Sequence, residues 1–199
     1  DCNIDGIEVD YEWHNNNWGK IGIIIPELSN RYSHFLKNLK IALGKNKIVS
    51  ADISGWGVYI FGIYPWVNVT MLNNGDFDFV NTMSYYWSKE GSLYRWQKDI
   101  ELIKKWGMNP KRVNIGVPYF SMNKTHQPSW KTLSKNCPNI NINNNSCNNV
   151  LFIGKKMNEK IGNLIKKNGF GGVFPWAANY DSIENNNSLI EWLYKGLKN

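Results

Sequence analysis

The order of secondary structure constrains this chain most. Gly6 to Tyr11 reads as a strand, Ser29 to Leu43 as a helix and Lys47 to Ile53 as a strand, followed by an irregular aromatic segment. The alternation resumes with the buried strand "FDFVNTMSYYW", the amphipathic helix "SLYRWQKDIELIKKWG" stopped by Gly107, and the strand "KRVNIGVPYF". One helix, "LFIGKKMNEKIGNLIKKNG", ends at Gly169 after an Asn-rich loop; the strand "FGGVFPW" and a last helix from about Ser182 to Leu197 close the series. Strand then helix, five strands in all, argues for an α/β fold with a parallel sheet, since each parallel neighbour needs a crossover and the crossover helix covers the sheet. With neither a linker nor a longer internal repeat, residues 1–199 read as one domain.

Composition narrows the function classes. A hydrophobic fraction of 42% with 10 Trp, 10 Tyr and 8 Phe in 199 residues implies a core built around aromatics. The net charge of +7 comes from lysines spread through the helical stretches, which read as solvated faces, and no RNA-binding or zinc-knuckle pattern accompanies them. A nucleic-acid partner is not expected. No apolar run is long enough to span a bilayer, so no membrane role is expected either, and the N-terminal residues do not read as a cleavable signal. The three cysteines lack metal-ligand spacing, so no metal is expected; in an oxidising compartment Cys137 and Cys147 would staple the Asn-rich loop and leave Cys2 without a partner in the chain. Sequons at Asn68, Asn123, Asn144 and Asn186 point the same way, in a chain where Asn is abundant. No cofactor motif is present: "GFGG" after a helix is the wrong context for phosphate binding.

The stretch "DGIEVDYE", Asp5 to Glu12, places Glu8, Asp10 and Glu12 on one side of an extended chain and Ile7, Val9 and Tyr11 on the other. A solvated edge strand is the ordinary reading. Three like charges at two-residue spacing nevertheless repel, which destabilises the fold unless chemistry uses them. Function in parallel α/β folds gathers at the carboxyl ends of strands. There the sequence places Asp10 and Glu12 on the first strand, Met83, Tyr85, Tyr86 and Trp87 on the third, Tyr119 and Phe120 on the fourth and Trp176 on the fifth. Carboxylates ringed by flat aromatic faces suit sugar rings, whose C–H faces stack on aromatics while an acid protonates the bridging oxygen.

"DGIEVDYE" resembles the Asp-x-x-Asp-x-Asp-x-Glu signature of family-18 glycoside hydrolases, the chitinases and their relatives. "VNTMSY" is similar to that family's Met-x-Tyr strand, "NIGVPYF" to its Gly-x-Pro-aromatic strand, and "GFGGVFPWAANYD" to its eighth strand with a buried Trp. The resemblance implies a (β/α)8 TIM barrel, here incomplete and running from about strand 4 to strand 8, so that 1–199 would be a partial catalytic domain of a longer, secreted polypeptide whose missing strands are needed for activity.

It further implies retaining, substrate-assisted hydrolysis of β-1,4-linked N-acetylglucosamine polymers such as chitin. Glu12 would be the general acid and base, Asp10 would orient the substrate's acetamido group, Tyr85 would donate to it, and Glu8 would stand below Asp10. Trp176 would floor the subsite, with Met83 lining it and Tyr86 and Trp87 as groove wall; Tyr119 joins them as a candidate, although packing is its commoner role. Two positions depart from the pattern: Glu8 stands where the family has Asp, and Tyr86 where Asp or Asn is usual. An inactive chitin-binding lectin of the same fold, or an endoglycosidase acting on N-linked glycans, are the alternatives. The short segment between the fourth and fifth strands implies an open groove suited to internal cleavage.

Overall fold

Five strands form a parallel sheet in the order β1-β2-β3-β4-β7, from Gly6–Asp10 (β1), Ile48–Ile53 (β2), Phe79–Thr82 (β3), Val113–Pro118 (β4) and Gly172–Trp176 (β7). These are the five strands expected from the apolar runs. The architecture comes from a computed structural model that describes residues 3–11, 21–53, 65–85, 92–121, 127–184 and 187–199. Chain contacts divide it into two units: residues 1–83 with 98–114, and residues 84–97 with 115–199.

In the first unit β1 pairs with β2 and β2 with β3, both parallel, with Glu8 opposite Ser50, Asp10 opposite Asp52, and Asp52 opposite Asn81. β2 is buried at five of its six positions, as expected of a parallel strand covered on both faces. Val49, Ala51 and Val80 form a core with Leu36 of the helix α1 (Ile21–Leu43) and with Leu72 and Phe77. Lys40 near the end of α1 donates to both carboxylate oxygens of Asp78 at 2.8 and 3.0 Å, while Asp78 also accepts from the backbone of Val49, which fixes the turn into β2.

Two elements here depart from expectation. α1 begins at Ile21 rather than Ser29 and carries Pro26 within it. Ser29, the expected start, lies within the helix and donates its hydroxyl to the carbonyl of Pro65 at 2.6 Å. Part of the aromatic segment read as irregular is a short helix, α2 (Val69–Asn74): the Asn68 side chain accepts from the Met71 N–H, and Gly75 ends it in the left-handed region at φ 81°.

The second unit buries Trp96, Trp130, Ile115, Val117, Tyr119 and Ile161. The indole N–H of Trp96, on the helix α3 (Tyr94–Lys105), donates to the carbonyl of Gly116 at 3.0 Å. Between β4 and β7 the chain forms two helices, where one was expected. They are α4 (Trp130–Asn136), capped by Ser129, and α5 (Lys155–Lys167). Between them lies a small antiparallel hairpin, β5 (Ser146–Cys147) and β6 (Val150–Leu151), turned by Asn148 and Asn149 at φ 51° and 62°. Both turn residues take the left-handed conformation that a two-residue hairpin requires and that Asn tolerates. A Cys137–Cys147 disulfide closes the Asn-rich loop onto this hairpin. The last helix, α6 (Leu189–Lys198), starts later than Ser182 because the chain first turns around Asp181, which is buried and accepts hydrogen bonds from Ser182, Ser188, Leu189 and Ile190. α5 and α6 touch backbone to backbone where Gly162 meets Leu193 and Gly196, an approach only glycine permits.

Candidate active site

In the first unit, the alternation of β1 sets the acids apart. Glu8 and Asp10 are exposed on one side, and Ile7 and Val9 are half-buried on the other. Val9 is anchored from behind, where the phenol of Tyr32 on α1 donates to its carbonyl at 2.9 Å. Burial, and then the negative charges of Asp52 and Asp10, push the Tyr32 phenol above its ordinary value. Glu8 is not left loose: one carboxylate oxygen, Oε2, accepts from the hydroxyl of Ser50 at 3.2 Å and from the side-chain amide of Asn81, whose own oxygen accepts from Asn114 at 2.9 Å. Asp10 lies opposite Asp52, which is buried at 4% exposure. Met83, expected to line the subsite, is half-buried, its N–H donating to the carbonyl of Ile53 at 2.9 Å.

Ser50, Asp52, Asn81 and Asn114 were missed in the sequence reading, yet a signal existed. Each is a polar residue interrupting an otherwise apolar strand, in "IVSADI", "FVNT" and "VNIG". A buried polar side chain in a parallel strand is costly unless it has a partner, and here Ser50 and Asn81 donate to Glu8 while Asn114 donates to Asn81.

In the second unit, Tyr85 is the centre of an aromatic cluster. Its ring lies 6.0 Å from Phe120 edge-on, 5.9 Å from Phe174 and 6.4 Å from Trp176. Such tilted and edge contacts match the ring quadrupole and hold the cluster rigid. The resemblance implied a buried Trp on the last strand; Trp176, the last residue of β7, is instead 47% exposed, with Tyr85 packed against part of it. The peptide bond from Trp176 to Ala177 is cis, and the Trp176 carbonyl accepts from the N–H of Tyr119 at 2.9 Å. Tyr119 itself is packed away at 1% exposure. Burial, assisted by the charge of Asp181, raises its phenol well above the ordinary range.

Glu12, Tyr86 and Trp87 lie outside the described residues. The structure thus groups Glu8 with Asp10, and Tyr85 with Trp176 and Tyr119. Among the described residues no cluster of three His, Cys, Asp or Glu side chains is arranged to hold a metal ion, and no helix is long and apolar enough to cross a membrane.

A model of the family described as "Glycosyl hydrolases family 18" matches residues 1–181. The chain belongs to this family. Solved structures agree in fold. The family-18 chitinase ChiB of Flavobacterium johnsoniae superimposes with a TM-score of 0.73 at 22% identity, over 98% of this chain and 60% of its own. A chitinase from Bacteroides thetaiotaomicron gives 0.73 at 20% identity, over 97% of this chain and 63% of its own. A plant class V chitinase mutant from Cycas revoluta, solved in complex with (GlcNAc)3, gives 0.67 at 13% identity, over 97% and 68%. The chain therefore has the fold of part of a family-18 barrel and spans about three-fifths of the length of the first two. No curated protein sequence matches it.

Proposed function

We propose that the protein hydrolyses β-1,4-linked N-acetylglucosamine polymers by a retaining mechanism in which the substrate's own acetamido oxygen attacks the anomeric carbon. The observation that carries this reading is the first strand. Its acids occupy one face in the order of the family signature, within a chain that matches the family over residues 1–181. Glu12 protonates the glycosidic oxygen and then, as a base, activates the water that opens the cyclic intermediate. Asp10 orients the acetamido group, and its negative charge stabilises the positive charge that develops there. Tyr85 donates a hydrogen bond to the same group, and Trp176 offers its exposed face to a sugar ring, with Met83 beside the ring.

Chitin as the polymer is supported by the chitinases among the structural relatives, one of them bound to (GlcNAc)3. We also propose that hydrolysis requires strands in addition to these five. β1, which carries the acids, stands at one end of the strand order and β7, which carries Trp176, at the other. Closing a barrel of this class takes eight strands. Secretion is proposed on the Cys137–Cys147 disulfide, a bond that persists in oxidising compartments.

Hydrolysis of a fluorogenic N-acetylglucosamine oligomer, by this chain and by a version with the relatives' additional strands supplied, tests the proposal beside the Glu12→Gln variant of each. Cleavage that Glu12→Gln abolishes supports it. The Glu at position 8 favours a second reading, a chitin-binding lectin; binding of the oligomer without cleavage by either form would establish that instead. Release of glycan from a glycoprotein, with no action on the oligomer, would identify an endoglycosidase.

A further inference from the structure

The departure of residue 8 from the family signature has a counterpart in its neighbours. In the strand register Glu8 lies level with Ser50, whereas Asn81 lies level with Asp52 and so with Asp10. The carboxylate of Glu8 accepts from both Ser50 and Asn81, so it reaches diagonally from its own level to that of Asp10. An Asp at this position would end one carbon–carbon bond earlier, about 1.5 Å short. The longer side chain and the asparagine therefore fit one another.

The orientation of Asn81 is itself determined. Its Oδ1 accepts from Asn114 at 2.9 Å, which turns its amide nitrogen towards Glu8. Asn81 is 2% exposed, so water does not compete for either end of the amide. Both donors to Glu8 meet the same oxygen, Oε2.

We propose that Asn81, oriented by Asn114, is a positioning residue that holds the Glu8 carboxylate at the level of Asp10. The inference rests on the hydrolase reading. On that reading Asp10 must sit correctly when the acetamido group arrives, and Glu8 is the group behind it that sets its position. The Asn81–Glu8 pair thus replaces what an Asp alone provides in the family signature. Misplacement of a catalytic group by about 1 Å costs on the order of a hundredfold in rate, so the clamp governs turnover more than binding.

The test is a double-mutant cycle on the version with the relatives' additional strands supplied, with a fluorogenic N-acetylglucosamine oligomer, comparing wild type, Asn81→Ala, Glu8→Asp and the pair. Asn81→Ala is expected to lower kcat by roughly ten- to a hundredfold with KM changed less than about threefold. In the Glu8→Asp background, where the shorter acid no longer reaches residue 81, the same substitution is expected to change kcat less than about twofold. Thermal denaturation of each variant verifies folding. Should Asn81→Ala fold poorly, Asn114→Ala replaces it: the Asn81 side chain stays, loses what orients it, and a smaller loss with the same dependence on Glu8 is expected. Equal losses in both backgrounds, or no loss in either, would overturn the role of Asn81 and leave the hydrolase reading intact. A wild-type form with those strands supplied that leaves the oligomer uncut would overturn the hydrolase reading and this role with it.

Discussion

Gly162→Ala sets two physical effects against each other. Gly162 lies mid-way along α5, where alanine is favoured over glycine by about 1 kcal/mol of helix propensity, so local reasoning expects stabilisation. The packing says otherwise. A Cβ at residue 162 would collide with the carbonyl oxygen of Leu193 and come within 3.0 Å of the Cα and carbonyl carbon of Gly196. All three are backbone atoms of α6, so no side chain can swing aside. Restoring ordinary contact, near 3.5 Å, separates the helices by up to about 1 Å, and a gap of that size forfeits a quarter to a half of the dispersion energy across the seam. Overpacking of this kind costs about 1–3 kcal/mol, towards the upper end when backbone is the obstacle. After the propensity gain the net loss is about 2 kcal/mol, or roughly 4–8 °C in Tm for a domain of this size. Thermal unfolding followed by circular dichroism, with the exposed Lys160→Ala as a neutral control, measures it. A rise in Tm for Gly162→Ala would refute the close helix approach.

Three further outcomes follow from the packing and the buried groups. Replacing Cys137 and Cys147 by Ser removes a cross-link over a sequence separation of 10, and about 2.7 kcal/mol of stability is expected to go with it in denaturant titration. Asp181→Ala strips the acceptor from four hydrogen bonds to Ser182, Ser188, Leu189 and Ile190, so a loss of about 3 kcal/mol is expected, with hydrogen exchange accelerated first in α6. Tyr32 and Tyr119 have phenols raised above the ordinary value of 10.0, so the stability they confer is complete below pH 10 and is lost as the pH rises further; absorbance at alkaline pH should show at least two tyrosines that ionise only as the fold opens.

The sheet was legible because parallel strands covered on both faces are nearly continuous apolar runs, as in "IVSADI" and "VNIGVP". The acidic alternation of β1 was legible because a strand has a strict period of two. What escaped notice was short or local. α2 has only 6 residues, too few for a helical period to emerge, although Asn68 and Gly75 mark its ends. Ser29, the expected start of the helix, lies inside α1, and the acceptor of its hydroxyl, Pro65, lies 36 residues away in sequence. The same distance effect concealed the support of the acids. Asn81 is 73 residues from Glu8, and only the strand register reveals that they meet. The sequon at Asn68 illustrates the reverse case: its amide nitrogen donates to Asn30 at 2.6 Å while its oxygen caps α2, so a residue that suggests a glycan acceptor in sequence has a structural task in the fold.

Hydrolysis in which the substrate supplies its own nucleophile is tested by comparing an N-acetylglucosamine oligomer with its fully deacetylated counterpart, following the anomeric protons of the first product by NMR. Cleavage of the acetylated oligomer alone is expected, with the β-anomer appearing first. Equal cleavage of both oligomers, or initial release of the α-anomer, would contradict it.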